Sequence, residues 1–208
     1  MIKAVIFDID GVLLDSFEAN FKFHQDLMIK NDYRPPTREE FHGMFHMSMT
    51  EVIKFNTKST SEDEIKRIWE MGRKREVGYP VELLAMPEKA EKVVEKLSKS
   101  YILGIVTSRV RETLYESPRL AELQKHFKIE VSFQDTKNHK PHPEPLLLAA
   151  EKLGVVPMEC VYIGDAENDI KAARAAGMKS ILYGKDNLYQ ADAFISSFHQ
   201  LAKIIASL

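Results

Sequence analysis

The chain has 208 residues, of which 44% are hydrophobic and 29% are charged, a balance that is typical of a folded globular protein and excludes global disorder. Its 29 basic and 31 acidic side chains give a formal net charge of -2, so a broad electrostatic surface for nucleic acid is not expected. The single cysteine excludes an internal disulfide and a thiolate zinc cluster within one chain. The sequence has neither an apolar run of the roughly 20 residues that span a bilayer nor a signal-peptide pattern, and we expect a cytoplasmic protein.

Short apolar runs rich in β-branched residues predict strands that are buried on both faces. These runs lie at residues 2–7, 101–106, 129–133, 160–163 and 180–183. Helical patterns lie between them at residues 145–153 and 168–176, each followed directly by a glycine, and Pro118 marks a further helix start. Alternating strands and helices predict an α/β protein with a mainly parallel sheet and helices on both faces of that sheet.

The segment from residue 15 to residue 86 contains no such strand run. Three candidate capping boxes, in which a Ser or Thr is followed three residues later by Glu, each predict a helix start. They are Thr37 with Glu40, Ser48 with Glu51, and Ser61 with Glu64. We therefore predict a small all-helical domain at residues 15–86, inserted after the first strand of a core domain formed by residues 1–14 and 87–208. The alternative is that these helices pack on the sheet as a crossover.

Two carboxylates follow the first predicted strand directly. Asp8 and Asp10 lie two residues apart, and on an extended backbone such side chains point to the same face. Two acids held together need a compensating charge, which a hard divalent cation with oxygen ligands would supply. Gly11 allows the chain to turn at once and brings a backbone N–H close to a ligand. Acids and glycine also form ordinary turns, but ligands of open α/β sheets bind at the carboxyl ends of strands.

Three further motifs follow later predicted elements, and each also has an ordinary structural interpretation. Thr107 and Ser108 end the second strand, where hydroxyls would hold phosphate oxygens or simply cap a helix. Lys140 precedes a proline that stiffens its loop, and its ammonium would meet a phosphoryl group or be a solvated surface charge. Asp165 and Asp169 follow the fourth strand about one helical turn apart, where acids also favour a helix N-terminus.

In this order and spacing, the four motifs resemble those of the haloacid dehalogenase-like superfamily of hydrolases. The matching segments are FDIDGVLLD at 7–15, VTS at 106–108, KPHP at 140–143 and GDAEND at 164–169. Within the superfamily, the chain is similar to the group with a small helical cap after the first strand, which includes phosphoglycolate phosphatase-like and β-phosphoglucomutase-like enzymes. The resemblance covers nearly the whole chain. It implies an α/β fold with a Rossmann-like three-layer core, a helical cap domain, and hydrolysis of phosphoric monoesters.

The resemblance also implies roles for the motif residues. Asp8 would be the nucleophile that forms an aspartyl-phosphate, and Asp10 would be the general acid and then the base for water. Mg²⁺ would bind Asp8, the backbone carbonyl of Asp10, and Asp165. Asp169 would be either a further metal ligand or an acceptor for a metal-bound water. The predicted substrate contacts are Gly11, Thr107, Ser108, Arg109 and Lys140, and Thr107 and Lys140 are also predicted to be catalytic.

The chain departs from the family pattern just after the predicted helical domain, and one residue that it shares with the pattern restricts the chemistry. Many relatives have a Pro-Gly pair where this chain has Pro87-Glu88, a change that touches no predicted catalytic group. The second acid, Asp10, favours phosphoryl transfer over dehalogenation, because family members that dehalogenate lack it. Arg109 would read an anionic group of the substrate or be a surface residue.

Substrate choice is expected to lie in the helical domain. The candidate residues there are Phe17, His24, Gly43, Met44, His46 and Lys54, although most aromatic and methionine side chains of this segment are expected to form its core. His42 and His46 share a helical spacing that would suit a metal, but two histidines without a third ligand are more often incidental.

The leading hypothesis is a Mg²⁺-dependent phosphatase that acts on a small phosphorylated metabolite, as a monomer or homodimer, with no nucleic-acid or membrane partner. The alternative enzyme is a β-phosphoglucomutase-like isomerase that shuttles a phosphoryl group. A non-catalytic binding protein is a third hypothesis, because a fold does not determine a function.

Overall fold

The computed structural model describes residues 1–45 and 47–208, and His46 lies outside the described residues. The chain divides into two compact units, one formed by Met1–Asp15 and Ala85–Leu208 and the other by Ser16–Leu84. The first unit has the Rossmann-like α/β fold that the sequence predicts. Over the two described ranges, every helix is too short or too polar to cross a bilayer.

A parallel sheet of six strands forms the centre of the first unit. The strands are β1 (Ala4–Phe7), β2 (Ile102–Val106), β3 (Phe127–Val131), β4 (Cys160–Gly164), β5 (Lys179–Tyr183) and β6 (Ala193–Ile195). Their spatial order is β3-β2-β1-β4-β5-β6, which places β1 between β2 and β4. Every residue of β1 and of β4 is buried, as their continuous apolar runs predict.

The described residues form nine α-helices. They are α1 (Phe17–Lys30), α2 (Arg38–Met44), α3 (Met49–Thr57), α4 (Glu62–Arg73), α5 (Ala90–Leu97), α6 (Pro118–Ala121), α7 (Glu144–Leu153), α8 (Glu167–Ala176) and α9 (Leu201–Ile205). Helix α7 packs on β2 and β3, whereas α8 packs on β4 and β5. Both end at a glycine in the left-handed conformation, and the missing Cβ removes the steric cost of that conformation.

The core between the sheet and helices α7 and α8 is built from small and branched side chains. Ala4 and Ile6 of β1 and Tyr162 of β4 pack against Leu146 of α7 and Ala172 of α8, and all five are fully buried. The alanines allow the helices to approach the sheet closely. Tyr162 is the largest fully buried side chain among the described residues.

Two strands differ from their predicted form. β3 is Phe127–Val131 rather than 129–133, because Phe127 packs edge-to-face on Phe7 with ring centroids 6.1 Å apart. The strand ends where Ser132 and Asp135 form a capping arrangement that turns the chain. The three-residue β6 has no long apolar run, so its pairing with β5 was not predicted.

Helices α1 to α4 form the second unit, and its capping residues mark the helix starts that the sequence predicts. Thr37 and Ser48 form complete capping boxes with Glu40 and Glu51, respectively. Ser61 accepts a hydrogen bond from the Glu64 backbone N–H. The Glu64 carboxylate binds the Ser59 hydroxyl and the Tyr33 hydroxyl instead of completing the box.

His24 lies in the core of the helical unit. Its side chain contacts the rings of Phe23 and Phe41, and the residue is 8% exposed. The Nδ1 atom of His24 is buried and has no hydrogen-bond partner among the described residues. Burial, assisted by the nearby charge of Arg75, lowers the pKa of His24 to about 4. The ring is therefore neutral at pH 7 and behaves as a core aromatic residue.

The buried His24 makes the stability of the helical unit dependent on pH. A base whose pKa falls from 6.5 to about 4 on folding binds fewer protons in the folded state, so stability is lost as the pH falls through this range. We expect a loss of about 1 kcal/mol per pH unit below pH 6.5. The free energy of unfolding at each pH is measured by urea denaturation followed by the fluorescence of Trp69, the single tryptophan, which packs in the same unit.

The variant His24→Phe keeps an aromatic ring and removes the titrating group. We expect its free energy of unfolding to depend less on pH than that of the wild type between about pH 7 and pH 5. The control is His199→Phe, because His199 is exposed and lies in the other unit. Equal pH slopes for the wild type and His24→Phe would contradict this assignment.

Candidate active site

The predicted site residues leave the sheet together because of the register of its three central strands. Phe7, at the end of β1, pairs with Ile105 of β2 and Ile163 of β4. The loops that follow these strands therefore begin side by side at the carboxyl edge, where open α/β sheets bind ligands. The first polar residues of the three loops are Asp8, Thr107 and Asp165.

The ammonium of Lys140 lies at the centre of this cluster. It donates to Asp8 Oδ2 at 2.9 Å, to Asp169 Oδ1 at 2.6 Å and to the Tyr162 hydroxyl at 2.9 Å. The Lys140 side chain is 7% exposed, so these acceptors replace water. Burial alone would lower the pKa of Lys140, but the carboxylates of Asp169 and Asp8 raise it well above its usual value. Lys140 is therefore a permanently charged group and not a solvated surface lysine.

The loop that carries Lys140 is fixed by contacts on both sides of the lysine. Glu144, at the start of α7, accepts hydrogen bonds from the backbone N–H groups of Lys137 and Asn138 at 3.0 and 3.1 Å. The ring of His139 stacks on Phe133 with centroids 3.9 Å apart. These contacts hold the backbone around Lys140 in place and reduce the entropy lost when its side chain is ordered.

Both carboxylate oxygens of Asp169 accept hydrogen bonds from the protein. Its Oδ2 atom accepts from the backbone N–H groups of Asp165 and Ala166, each at 3.1 Å, at the start of α8. Its Oδ1 atom accepts from Lys140. One carboxylate thus caps α8, as the helix-capping interpretation predicts, and also pairs with the buried lysine. The predicted role of Asp169 toward a metal stays a prediction.

Two glycines provide the space that the acids occupy. Gly11 has a φ of +75°, and a Cβ atom on it would lie 1.8 Å from Asp165 Oδ2. A Cβ atom on Gly164 would lie 2.2 Å from the Cβ of Asp169. Both distances are far below van der Waals contact, so any other residue would displace a carboxylate.

The acids of the cluster are buried together in excess over their cationic partner. Burial raises the pKa of Asp8 to about 7, with a further contribution from Asp169 and in opposition to Lys140. Burial, followed by the charges of Asp169 and Asp8, also raises the pKa of Asp165 well above its usual value. The protein scaffold alone therefore does not provide enough positive charge to hold every carboxylate ionised.

This charge imbalance suits a divalent cation. Asp8, Asp165 and Asp169 each offer a carboxylate oxygen, and the three oxygens lie within 4.8 Å of one another. Hard cations such as Mg²⁺ prefer oxygen ligands of this kind. Both oxygens of Asp8 and both oxygens of Asp169 accept hydrogen bonds from the protein, so a cation here would use the remaining lone pairs of these carboxylates. The two predicted roles of Asp169, as a direct ligand and as an acceptor for a metal-bound water, stay predictions.

Asp10 has a different partner from Asp8. Its two carboxylate oxygens accept from Arg109, from Nε at 2.8 Å and from Nη2 at 2.7 Å. The Arg109 side chain is 8% exposed, whereas that of Asp10 is 30% exposed. Arg109 is thus a buried residue of the site, and the expectation of a simple surface arginine is wrong.

The hydroxyl residues at the end of β2 are in two different environments. Thr107 is buried, and its Oγ1 accepts from the backbone N–H of Arg109 at 3.2 Å, while its own N–H donates to the Val131 carbonyl. Ser108 is exposed. Phosphoryl contacts by these two residues, and a contact by Gly11, stay predictions.

Tyr162 belongs to this cluster, although its sequence context did not identify it. Its hydroxyl accepts from Lys140 and donates to the Val106 carbonyl at 3.0 Å, which links β4 to the end of β2. In the sequence it looks like one more large residue of an apolar strand. The available signal is that a phenol in a fully buried strand needs a polar partner, and that it lies three residues before Asp165.

The candidate specificity residues of the helical unit differ in their exposure. Met44, like His24, is in the core, whereas Gly43 and Lys54 are exposed. Phe17 is partly buried and stacks on His42 at 4.2 Å between ring centroids. The other histidine of the suggested metal pair, His46, lies outside the described residues.

Comparison with known proteins finds relatives in the superfamily whose motifs this chain resembles. A family model described as haloacid dehalogenase-like hydrolase matches residues 5–183. The pyrophosphatase PpaX of Bacillus pumilus is 32% identical over 186 residues, which cover 86% of this chain and 82% of that protein. A phosphoglycolate phosphatase of Escherichia coli is 36% identical over 124 residues, which cover 55% of this chain and 48% of that protein.

A solved structure extends the similarity over the whole chain. The β-phosphoglucomutase of Clostridium difficile has a TM-score of 0.80 and 25% sequence identity, with 100% of this chain and 96% of that chain covered. The fold class that the sequence predicts is thereby confirmed.

The first test of the site uses the space beside Gly11. We expect Gly11→Ala to displace the Asp165 carboxylate and to weaken Mg²⁺ binding by about tenfold or more, measured by calorimetric titration. The matched control is Gly154→Ala, because Gly154 also has a positive φ of +69°, but a Cβ atom on it would have no neighbour within 4 Å. The control should lose about 1 kcal/mol of stability and retain metal affinity. Equal metal affinity in the two variants would exclude this role for Gly11.

The second test concerns the Tyr162 hydroxyl. Tyr162→Phe leaves the Val106 carbonyl without its donor and Lys140 without one acceptor, so we expect the free energy of unfolding to fall by about 1–3 kcal/mol. Urea denaturation followed by circular dichroism measures the change. Tyr101→Phe, at a partly exposed position just before β2, is the control. A loss in Tyr162→Phe no larger than in the control would mean that the hydroxyl contributes little.

Proposed function

Because this chain belongs to the haloacid dehalogenase-like hydrolases, we propose that it is a Mg²⁺-dependent phosphatase that hydrolyses small phosphomonoesters through an aspartyl-phosphate. The observation that carries this proposal is the convergence of Asp8, Asp165 and Asp169 around the Lys140 ammonium at the carboxyl edge of the sheet. The similarity to a phosphoglycolate phosphatase supports a phosphomonoester as the substrate.

In the proposed reaction, an Asp8 carboxylate oxygen attacks phosphorus and the alcohol of the substrate leaves. Asp10 gives a proton to the departing oxygen, and in the second step it takes a proton from the water that attacks the aspartyl-phosphate. Dividing transfer into two steps allows one site to act first on an ester and then on water. Asp8 is restored when the phosphate leaves.

The neighbouring groups reduce the repulsion between an anionic nucleophile and an anionic ester. Lys140 touches Asp8 Oδ2 and carries a permanent charge, so it neutralises negative charge where the bond forms. Thr107 would hold a phosphoryl oxygen from the adjacent loop. Asp8, Asp165 and the backbone carbonyl of Asp10 would hold Mg²⁺, which supplies charge neutralisation at the phosphoryl oxygens when bound.

We assign the helical unit, residues 16–84, to the role of a cap that excludes water and selects the substrate, as the family resemblance implies. The oligomeric state and the cytoplasmic setting stay predictions. The structural similarity to a β-phosphoglucomutase favours a second candidate, an isomerase that returns the phosphoryl group to a sugar phosphate. Phosphate release distinguishes the two functions.

The test is a panel of phosphorylated metabolites and pyrophosphate, assayed for released phosphate with Mg²⁺ and with a chelator. We expect Mg²⁺-dependent release from at least one monoester. Interconversion of sugar phosphates without release would favour the isomerase, and release from pyrophosphate alone would contradict the monoester assignment. No turnover on any compound would leave a binding protein as the remaining hypothesis.

Asp8→Asn tests the nucleophile. An amide does not form the acyl phosphate, so we expect phosphate release to fall by more than about 1,000-fold with the fold intact by circular dichroism. Asp186→Asn is the control, because Asp186 is exposed in the loop after β5 and should retain full activity. Acid-quenched enzyme should carry a covalent phosphoryl group in the control and none in Asp8→Asn.

A further inference from the structure

The guanidinium of Arg109 is held in place independently of Asp10. Its Nη1 atom donates to the Thr113 carbonyl at 3.0 Å and lies 3.6 Å from Glu116 Oε2. Its backbone is also fixed, since its N–H donates to Thr107 Oγ1 and its carbonyl accepts from the Phe133 N–H at 2.8 Å. The arginine is therefore a rigid part of the loop that follows β2.

The edge of the guanidinium that carries Nε and Nη2 contacts Asp10 with two hydrogen bonds. Nε and Nη2 donate to the two carboxylate oxygens at 2.8 and 2.7 Å, across a sequence separation of 99 residues. A bidentate pair of this kind restricts both the position and the rotation of the carboxylate plane. Each carboxylate oxygen keeps a second lone pair that the arginine does not use.

We propose that Arg109 is a positioning residue that orients the carboxylate of Asp10 for its two proton transfers. This inference rests on the proposed function of Asp10 and adds to it. Arg109 acts through Asp10 and not on the substrate, because its side chain is buried and its donors are directed to Asp10, Thr113 and Glu116. Orientation matters because a proton acceptor that is misplaced by about 1 Å can cost about 100-fold in rate.

The proposal requires the bidentate geometry and not only a positive charge. Arg109→Lys keeps the charge but presents an ammonium, which does not bind both oxygens in one plane. Asp10 has to donate a proton to an alkoxide leaving group, whereas p-nitrophenolate leaves without one. The variant should therefore slow alkyl phosphate hydrolysis more than cleavage of the p-nitrophenyl ester.

The experiment compares full-length wild type and Arg109→Lys on an alkyl phosphate from the panel and on p-nitrophenyl phosphate. For the alkyl ester we expect kcat to fall by about tenfold to 100-fold with KM changed by less than about threefold. For the aryl ester we expect a rapid burst of nitrophenolate equal to the enzyme, followed by slow turnover, because Asp10 is still needed to activate water. Arg111→Lys, an exposed arginine of the same loop, should behave as the wild type.

A double-variant cycle separates positioning from other roles. Arg109→Lys introduced into Asp10→Asn should cause no further loss, because the carboxylate that it orients is already absent. Equal losses in both backgrounds, a raised KM with unchanged kcat, or a variant faster than the wild type would each overturn the proposal. The raised KM would identify Arg109 as a substrate contact instead.

A second variant, Glu116→Gln, and the phosphate release of the wild type separate positioning from a loss of folding and from a wrong proposed function. If Arg109→Lys melts at a lower temperature than the wild type, Glu116→Gln is the variant to use, because it removes the charge beside Arg109 and leaves Arg109 and Asp10 unaltered. We expect Glu116→Gln to lower kcat for the alkyl ester, but by less than Arg109→Lys does. Unchanged kinetics in Glu116→Gln together with loss of folding in Arg109→Lys would overturn positioning in favour of a structural role. If the wild type releases no phosphate from any ester, the proposed function itself is wrong, an outcome that no Arg109 variant can produce.

Discussion

The burial of several carboxylates beside one ammonium is the constraint on which the first unit depends. Asp8, Asp165 and Asp169 lie within reach of a common ion, while Lys140 is their buried cation. Burying like charges without compensation is costly, and the raised pKa values of Asp8 and Asp165 express that cost. A divalent cation bound at these carboxylates, as proposed above, would compensate their excess negative charge.

The sheet order makes this concentration of charge attainable. β1 lies between β2 and β4, so loops from three strands begin at one point although their residues are far apart in sequence. Glycines at positions 11 and 164 then allow two carboxylates to approach the backbone closely. The apolar strands fix the location, and the absence of two Cβ atoms fixes the distances.

Patterns within a short stretch of sequence were sufficient for the main elements of the fold. The continuous apolar runs identified β1, β2, β4 and β5, and the Ser and Thr capping residues identified the starts of α2, α3 and α4 in the second unit. The bounds of β3 lie two residues earlier than predicted, because the turn at Ser132 and Asp135 ends the strand and its first residue, Phe127, makes an aromatic contact with Phe7. That contact joins residues 120 apart in the chain, and local periodicity carries no information about it.

The same distinction applies to the candidate site. The four motifs, through their family resemblance, pointed to Asp8, Lys140, Asp165 and Asp169, which lie together in the structure. Tyr162 was not identified, because its role depends on which way one buried ring points. The pairing of Arg109 with Asp10 was not predicted either, because it depends on the approach of two loops that are 99 residues apart.

The two acids of the first motif are separated by a single residue, yet their surroundings differ in a way that suits two different tasks. Asp8 is buried against a lysine, a compact charge whose three donors reach three separate acceptors. Asp10 is more exposed and faces an arginine, whose planar group holds both oxygens of one carboxylate. A nucleophile needs charge neutralised at the atom that attacks, whereas a proton carrier needs a fixed plane and access to the reacting oxygen. The difference between a lysine and an arginine partner thus provides a physical basis for the different roles that we propose for two neighbouring aspartates in one reaction.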